Sequence, residues 1–300
     1  MIELFQHIID GISVGAIYAL IALGYTMVYG VLKLINFAHG DVFMLGAMIG
    51  WYASSQWTGE ARHPTIGGAL VVTVFSMAVC AVVGFLIERL AYRPLRNQPR
   101  LNSLITAIGM SFLLEYGGQY LFNPTPRFFS VLPHSPPVHV GAVSLGYVDA
   151  VTVLVAVPLM YLLQFIVFHT RMGRAMRAVS FNPQIAALMG VNVDLVISFT
   201  FVLGSTLAAA AGILYASKYP SVQPLMGLMP GLKAFVAAVL GGIGNVPGAM
   251  LGGLLLGLAE QIVSGYLSSS WRDAVAFSIL ILILLVKPSG LLGRGEAEKV

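Results

Sequence analysis

Five ionisable side chains of this sequence fall within or beside long uncharged stretches. They are His39, Asp41, Glu115, Lys233 and Glu260. A charge in the hydrocarbon of a bilayer costs at least about 2.5–3.5 kcal/mol on insertion scales, so each group requires a partner, a cavity or an interface. A proton relay would require a continuous chain of such groups, and these five are scattered along the sequence.

Asn36, His39 and Asp41 fall in a stretch, residues 34–41, that separates the first two apolar runs. Irregular backbone at membrane depth is tolerated only inside protein or beside a water-filled cavity. The stretch therefore has two interpretations. It lines a transport path or gate, or it is a polar turn at the cytoplasmic face that neighbouring helices satisfy.

A second break is predicted at residues 241–248, where glycines surround Pro247. Proline lacks an amide donor, and glycine tolerates unusual backbone dihedrals. Lys233 and Glu260 flank this break, and we expect them to pair with each other or with Asp41 and so to hold the broken helices in place. The candidate path or gate residues are, in full, Asn36, His39, Asp41, Lys233, Asn245 and Glu260.

The composition predicts the elements that must position these residues. Of 300 residues, 58% are hydrophobic and 9% are charged, whereas an average soluble domain is about 25% charged. Most of the surface must therefore face lipid. Long apolar runs occur at residues 11–32, 42–59, 66–87, 101–122, 150–168, 195–217, 234–259 and 274–286. They predict an all-α integral membrane protein, a polytopic helical bundle of eight or nine segments with broken or re-entrant helices, in one domain spanning residues 1–300.

The basic residues predict the orientation of the spans. Eleven of the 16 fall on one side and are assigned to the cytoplasm: Lys33, Arg89, Arg93, Arg96, Arg100, Arg171, Arg174, Arg177, Lys287, Arg294 and Lys299. The opposite loops hold Arg62, Arg127, Lys218 and Arg272. This bias places the N-terminus outside and the C-terminus in the cytoplasm, which requires an odd number of crossings. A cytoplasmic turn at 241–248 would satisfy that parity; a re-entrant segment there would require another crossing elsewhere.

The sequence has no motif for catalysis, nucleotide hydrolysis or metal binding. It contains no Gly-Lys pair, no His-Glu-x-x-His and a single cysteine, Cys80, so phosphate-cradling loops and Cys-based metal sites are excluded. One Gly-x-Ser-x-Gly occurs at residues 11–15, but it opens an apolar run and is interpreted as small residues for helix packing. We predict no catalytic residue, no metal and no cofactor in this chain. The basic residues form short clusters, so no nucleic-acid partner is expected.

The longest informative polar stretch is a predicted cytoplasmic loop at residues 170–194. Ser180 or Asn182 can cap a helix start, Pro183 suits the first helical position, and Gly190 can end the helix in a left-handed conformation. Such a helix of about seven residues is marginal alone in water. It would be stable if its apolar face docked into a groove on a partner or, alternatively, lay on the membrane surface.

Several motifs in order resemble a known family over essentially the whole chain. They stand at residues 18–29 (YALIALGYTMVY), 35–40 (INFAHG), 88–95 (ERLAYRPL), 171–175 (RMGRA), 229–235 (MPGLKAF), 238–245 (AVLGGIGN) and 292–294 (LGR). The chain resembles the membrane permeases of bacterial ABC importers for branched-chain amino acids, of the LivH type.

The resemblance implies a permease in the bacterial inner membrane that translocates leucine, isoleucine and valine. It implies four further subunits or proteins in one transport system: a second related permease forming a heterodimer, two ATP-binding subunits that use the ATP, and a periplasmic amino-acid-binding protein. The loop would be the coupling segment, with coupling residues Asn182, Pro183, Ala186, Ala187 and Gly190. It lacks the glutamate of the broader Glu-Ala-Ala signature and has Gln184-Ile185-Ala186-Ala187 instead.

Three rival interpretations remain at this stage. The same type of permease could carry urea, short amides or other amino acids, because related permeases share much of this motif set. An ion- or proton-coupled secondary carrier would work without ATP or partner subunits. A membrane enzyme has little support, because the catalytic motifs are missing.

Overall fold

The computed structural model describes residues 2–58, 65–96, 98–133, 136–140 and 143–293. These residues form a helical bundle with short strands in its connections. Arg62, Arg294 and Lys299, which contribute to the predicted orientation, lie outside the described residues.

The helices follow one another with short connections. They are α1 (Ile2–Leu32), α2 (His39–Ala53), α3 (Ile66–Ile87), α4 (Arg100–Phe122), α5 (Tyr147–His169), α6 (Arg171–Phe181), α7 (Pro183–Leu188), α8 (Val193–Lys218), α9 (Leu228–Gly241), α10 (Val246–Tyr266) and α11 (Arg272–Val286). π-Helical turns extend α2 at Ser54–Thr58 and α3 at Glu88–Tyr92. Short 3₁₀ turns lie at Arg93–Leu95 and Ser269–Trp271.

The predicted all-α class omits four short strands. β1 (Arg127–Phe128) pairs antiparallel with β4 (Ser221–Val222), with Arg127 opposite Val222. β2 (Val138–Val140) pairs antiparallel with β3 (Val143–Leu145), with Val138 opposite Leu145. The sequence did not predict them, because strands of two or three residues have no readable alternation of side chains.

Six helical segments of the described chain are long and apolar enough to cross a membrane. They are Glu3–Leu32, Ile66–Leu95, Tyr147–His169, Val193–Lys218, Val246–Tyr266 and Ser269–Val286, with Leu228–Gly241 as a shorter apolar helix. Two further predicted runs correspond to α2 and α4. α2 has only 15 residues, and α4 carries the polar residues Glu115 and Gln119.

α1 lies at the centre of the bundle, in contact with α5, α8, α9 and α10. Its apolar window is 78% buried, whereas those of α3 and α5 are 28% buried, so the peripheral helices present apolar side chains outward, as a lipid environment favours. α1 and α10 cross closely because glycines face each other. A Cβ added at Gly15 would lie 2.8 Å from the Leu254 Cα, and one at Gly257 would overlap Gly15. The Gly-x-Ser-x-Gly stretch of α1 thus serves helix packing.

The helix ends define two faces of the bundle. The basic face holds Lys33 at the end of α1, Arg93 and Arg96 after α3, and Lys287 after α11. Lys33, the end of α5 and the 242–247 segment line one cleft there, and Leu32, Arg93 and the start of α8 line a second. The opposite face holds the N-terminal half of α1 and the end of α8, where Lys218 pairs with Asp149 and donates to Ser13 at 3.4 Å.

The first predicted break is an irregular segment, residues 33–38, that returns into the bundle. α2 begins at His39, whose Nε2 lies 3.1 Å from the Ile21 carbonyl oxygen of α1. Ile21 precedes the end of α1 at Leu32 by about 16 Å along the helix axis. α2 therefore starts beside the middle of α1 and runs toward the opposite face, where Trp51 stacks with Arg127 at 5.3 Å.

The second predicted break is a tight turn between α9 and α10 at the basic face. Gly242 and Gly244 adopt φ angles of +107° and +92°, which glycine tolerates without strain. A Cβ added at Gly244 would lie 3.7 Å from the Gly30 Cα, and the Leu292 amide donates to the Gly241 carbonyl at 3.0 Å. The predicted run 234–259 is therefore divided between two helices joined by a turn, as the first of the two alternatives predicted.

Candidate functional site

α2 and α9 both begin inside the bundle and meet at their first turns. A Cβ added at Gly40 would lie 3.0 Å from the Gly227 carbonyl oxygen and 3.2 Å from the Gly231 Cα. Glycine at these positions allows the two backbones to approach closely. Two interrupted helices that begin at one depth form the central feature around which the predicted path residues are arranged.

His39 is held between α1 and the start of α9. Its ring nitrogen lies against the Ile21 carbonyl, and its imidazole meets the Tyr25 ring edge-on with centroids 4.8 Å apart. Tyr25 in turn contacts Phe235 of α9 at 6.0 Å. The imidazole fits because Gly24 has no side chain: a Cβ there would overlap His39. His39 is 1% exposed and so joins three helices at this depth.

Asp41 and Asn36 have partners on two other helices. The Ser111 hydroxyl of α4 donates to the Asp41 carboxylate, and Glu115, one turn further along α4, also interacts with it. The Tyr92 hydroxyl, at the end of α3, donates to Asn36 Oδ1 at 2.9 Å. Each polar group of the irregular segment is therefore satisfied by a different neighbour.

Lys233 and Glu260 form the ion pair that the sequence analysis gave as one of two alternatives. The Lys233 ammonium of α9 lies 2.6 Å from one Glu260 oxygen and 2.7 Å from an Asp273 oxygen. The Tyr18 hydroxyl of α1 donates to the other Glu260 oxygen at 2.9 Å. The group joins four helices. Asp41 is absent from it, because Ser111 and Glu115 surround Asp41 instead.

Asn245 acts as a structural tie in the α9–α10 turn. Its side-chain oxygen accepts from the Gly248 amide at 3.1 Å and caps α10, and its amide donates to the Leu292 carbonyl at 2.6 Å. The six predicted path residues thus fall into three separate groups: the irregular segment, the Lys233–Glu260 pair and this turn.

Three large clefts open on the described surface. One, of about 570 Å³, lies at the opposite face beside Asp10, Asp149 and Lys218. Two lie at the basic face: one of about 680 Å³ beside Lys33 and Asn245, and one of about 740 Å³ between Arg93 and Asn182. Of the six predicted path residues, Asn245 alone lines any of these three clefts.

The predicted coupling loop has the local structure that its sequence indicates. Thr170 caps α6 by accepting from the Gly173 amide at 3.0 Å, and α6 buries Gly173, Met176 and Val179. The Asn182 side chain caps α7 by accepting from the Gln184 and Ile185 amides at 2.9 and 3.0 Å.

Pro183 is the first residue of α7, and Gly190 follows the helix with φ +82°. Only Ala186 of α7 is buried; Ala187 is exposed.

The outer side of this loop carries an exposed apolar patch at the basic face. Phe181 is 90% exposed, Ile185 54%, Leu188 87% and Met189 80%. We call these four side chains the loop patch. Four large apolar side chains on a capped six-residue helix are typical of a surface that another protein covers.

A charge network next to this loop was missed by the sequence analysis, which used its arginines only for orientation. Arg93 and Arg96 both bind Asp194, in the first turn of α8, and Arg96 also binds the fully buried Glu88. The Ser198 hydroxyl donates to the same Glu88 carboxylate. The partners lie about a hundred residues apart, so no local spacing signals them.

Apolar spans, interrupted helices that meet inside the bundle and an exposed loop helix define a polytopic helical membrane protein. The family described as "Branched-chain amino acid transport system / permease component" matches residues 7–284. The chain therefore belongs to this family, which confirms the family predicted from the sequence.

Named relatives share nearly the full length of the chain. The high-affinity branched-chain amino acid transport system permease protein LivH of Escherichia coli K12 is 42% identical, over 98% of this chain and 97% of the relative. The corresponding protein BraD of Pseudomonas aeruginosa is 41% identical over the same shares. The ribose import permease protein RbsC of Haemophilus influenzae is 30% identical over 41% of this chain and 40% of its own length. The relatives are transport permeases, and the chain is a permease component rather than an enzyme.

Proposed function

We propose that this chain is the membrane-spanning subunit of an ABC importer that carries leucine, isoleucine and valine across the bacterial inner membrane. The relatives whose names state branched-chain amino acid transport match 98% of the chain at 41–42% identity. The chain lacks a phosphate-cradling motif, so in this proposal two separate ATP-binding subunits hydrolyse ATP. A second related permease and a periplasmic binding protein complete the transporter.

The loop patch is the observation that carries the coupling part of this proposal. It lies on a capped helix at the basic face, beside Arg93 and Asp194, where an ATP-binding subunit would dock from the cytoplasm. Closure of the two ATP-binding subunits would then move α7. ATP supplies the differential binding energy that a switch between inward-facing and outward-facing states requires.

The charge network gives this motion a route into the bundle. Asp194 follows the loop directly and is bound by Arg93 and Arg96, so a displaced α7 would carry the start of α8 and the end of α3 with it. α8 packs on α2 through Gly212, where an added Cβ would overlap the Phe43 backbone. α2 in turn meets α9 at Gly40. In this proposal the interrupted helices move relative to each other and change access to the path.

The proposed orientation places the basic face in the cytoplasm and the N-terminus outside. Counted by direction, α1, α3, α5, α9 and α11 would run toward the basic face, and α2, α4, α8 and α10 away from it. That gives nine crossings, with α2 and α9 each completed by an irregular segment. An odd number agrees with the bias of the Lys and Arg residues.

The path assignment remains a proposal about Asn36, His39, Asp41, Lys233, Asn245 and Glu260. Interrupted helices often surround the path in membrane transporters. Single cysteines across residues 36–41, in a chain with Cys80 replaced, should be labelled differently with and without trapped ATP. Equal labelling in both states, or none in either, would argue against a gate at this segment.

The coupling proposal is tested by recovery of the ATP-binding subunit with the tagged permease. Leu188→Asp is expected to reduce recovery at least tenfold, because it places a charge in the docking surface. The matched control is Leu267→Asp, which changes a 69% exposed leucine at the opposite face and should leave recovery unchanged. Equal recovery from both variants would contradict the assignment of the loop patch.

Gly190→Pro tests the same loop through uptake. The Gly190 amide donates to the Ala187 carbonyl at 3.0 Å, and its φ of +82° is closed to proline,. Uptake of labelled leucine should be lost while the chain still inserts into the membrane. Normal uptake would remove the coupling assignment.

The cargo is tested by competition. Unlabelled isoleucine and valine should inhibit leucine uptake, and urea, acetamide and ribose should not. Transport by the chain alone in liposomes without ATP would instead support a secondary carrier.

A further inference from the structure

One cleft of the basic face has a lining that matches no step of the proposed transport cycle. We call it the basic cleft: it lies between the end of α1, the α5–α6 junction and the α9–α10 turn, with a volume of about 680 Å³. Lys33 and Arg177 line it, together with Phe168, Ser180 and Asn245.

The charge of the basic cleft distinguishes it from the other two large clefts. No carboxylate belongs to its described lining, whereas Asp10 and Asp149 line the cleft of the opposite face and Asp194 lines the third. Two cationic side chains without a nearby acid favour an anionic ligand.

Arg177 is held in place for such a ligand. Its guanidinium donates to the Val167 carbonyl at the end of α5 and stacks over the Phe168 ring at 5.7 Å. A guanidinium has five N–H donors, so one anchoring bond leaves donors for a phosphate oxygen. The residues of the α9–α10 turn form the facing wall, at the start of α10, where the helix dipole adds to the positive potential,.

The apolar part of the lining indicates a lipid rather than a free anion. Phe168 is 42% exposed and continues a row of exposed apolar side chains on α5 that includes Tyr161 and Phe165. In a bilayer this row would face acyl chains, and the basic cleft would lie at the level of the headgroups. Basic pockets between membrane helices at this level suit lipid headgroups.

From this geometry we propose that the basic cleft binds the phosphate group of an anionic phospholipid, with an acyl chain along α5. Arg177 and Ser180 belong to α6 and its end, directly before the coupling helix α7. A bound headgroup would fasten α6 to the ends of α1 and α5 and to the α9–α10 turn. It would thereby fix the base from which the coupling loop extends. This inference requires a membrane-spanning chain but does not depend on the cargo.

The test measures the thermal unfolding midpoint of the full-length chain in mixed micelles. Phosphatidylglycerol is titrated against phosphatidylcholine with identical acyl chains. The wild-type midpoint should rise with the anionic fraction, because a ligand that binds the native state stabilises it by mass action. Lys33→Gln and Arg177→Gln should each require roughly fivefold to tenfold more phosphatidylglycerol for the same rise.

The matched control is Arg174→Gln, which removes an equally charged, exposed arginine of α6 outside the cleft lining. It should keep the wild-type response. A chain ending at Gly293 is included because residues 294–300 carry charges of both signs and follow the cleft directly; it should also respond normally. If Arg177→Gln fails to fold, Lys33→Gln decides the outcome.

Three results would overturn the proposal. Equal responses from Lys33→Gln and Arg174→Gln would show that the effect is general surface charge. Loss of the response in the chain ending at Gly293 would place it in the tail. An equal midpoint rise with inorganic phosphate would show a free-anion site without lipid specificity.

Discussion

Buried charges in this protein are satisfied in small groups that join different helices. Lys233 lies between Glu260 and Asp273, and Tyr18 completes the group. An ion pair at this depth costs desolvation energy, which only close partners offset. The group is therefore interpreted as a clamp that keeps the short helix α9 on α10 and α11.

Removal of one charge from this clamp should destabilise the protein strongly. Lys233→Met leaves Glu260 without its cation, and we expect the free energy of unfolding in micelles to fall by about 3–5 kcal/mol. The double variant Lys233→Met with Glu260→Gln should recover part of that loss, because no buried charge remains unpaired. A double variant as unstable as the sum of the two single variants would contradict this account.

At this scale the sequence predicted which groups are buried better than it predicted their partners. Lys233 and Glu260 flank one turn, so their pairing could be anticipated. Asp41 and Ser111 are 70 residues apart, and Asn36 and Tyr92 are 56 residues apart. Serine and tyrosine in apolar runs carry no signal for a distant partner, since their contacts depend on how the helices pack.

Among the helices, the crossing of α1 and α10 depends on the absence of side chains. Gly257→Ala would place its Cβ in the Gly15 backbone, and such overpacking costs about 1–3 kcal/mol. Thermal unfolding in micelles should show this loss.

Gly109→Ala provides the matched control on α4, because no atom outside its helix lies within 4 Å of the added Cβ. It should change the free energy of unfolding by less than about 1 kcal/mol. Equal effects of the two substitutions would show that helix propensity, rather than close packing, decides.

The helix α7 gives a second prediction at this scale. Asn182→Ala removes the side chain that accepts from two backbone amides and should cost about 1 kcal/mol of helix stability. Because α7 has only six residues, we expect lower leucine uptake at an unchanged amount of chain in the membrane. Asn182→Asp keeps the acceptor and should retain uptake; equal losses in both variants would argue against capping.

The local sequence predicted α7 well and α2 poorly. The cap, Pro183 and Gly190 lie within nine residues, so local chemistry decides that helix. The start of α2 depends on His39 reaching α1 and on Gly40 meeting Gly227. Those contacts are tertiary, and no periodicity in residues 34–41 encodes the depth to which the segment returns.

Across the whole molecule, the two faces differ in their proposed exposure to the cytoplasm. Single cysteines at Gln98 and Gln184 on the basic face, in a chain with Cys80 replaced, should resist a membrane-impermeant thiol reagent in intact cells. Cysteines at Thr125 and Ser269 on the opposite face should react. All four positions are exposed in the structure, so access, rather than burial, determines labelling. The reverse pattern would invert the orientation, and a mixed pattern would contradict the nine crossings.

The interrupted start of α2 also has a consequence for how the protein is made. The Asp41 carboxylate leaves the ribosome 70 residues before its partner Ser111, and α8, which packs along α2, is synthesised later still. During biogenesis this segment must therefore wait at the insertion machinery or at the membrane surface until α4 and α8 arrive. Its final insertion is a late event that requires nearly the complete polypeptide.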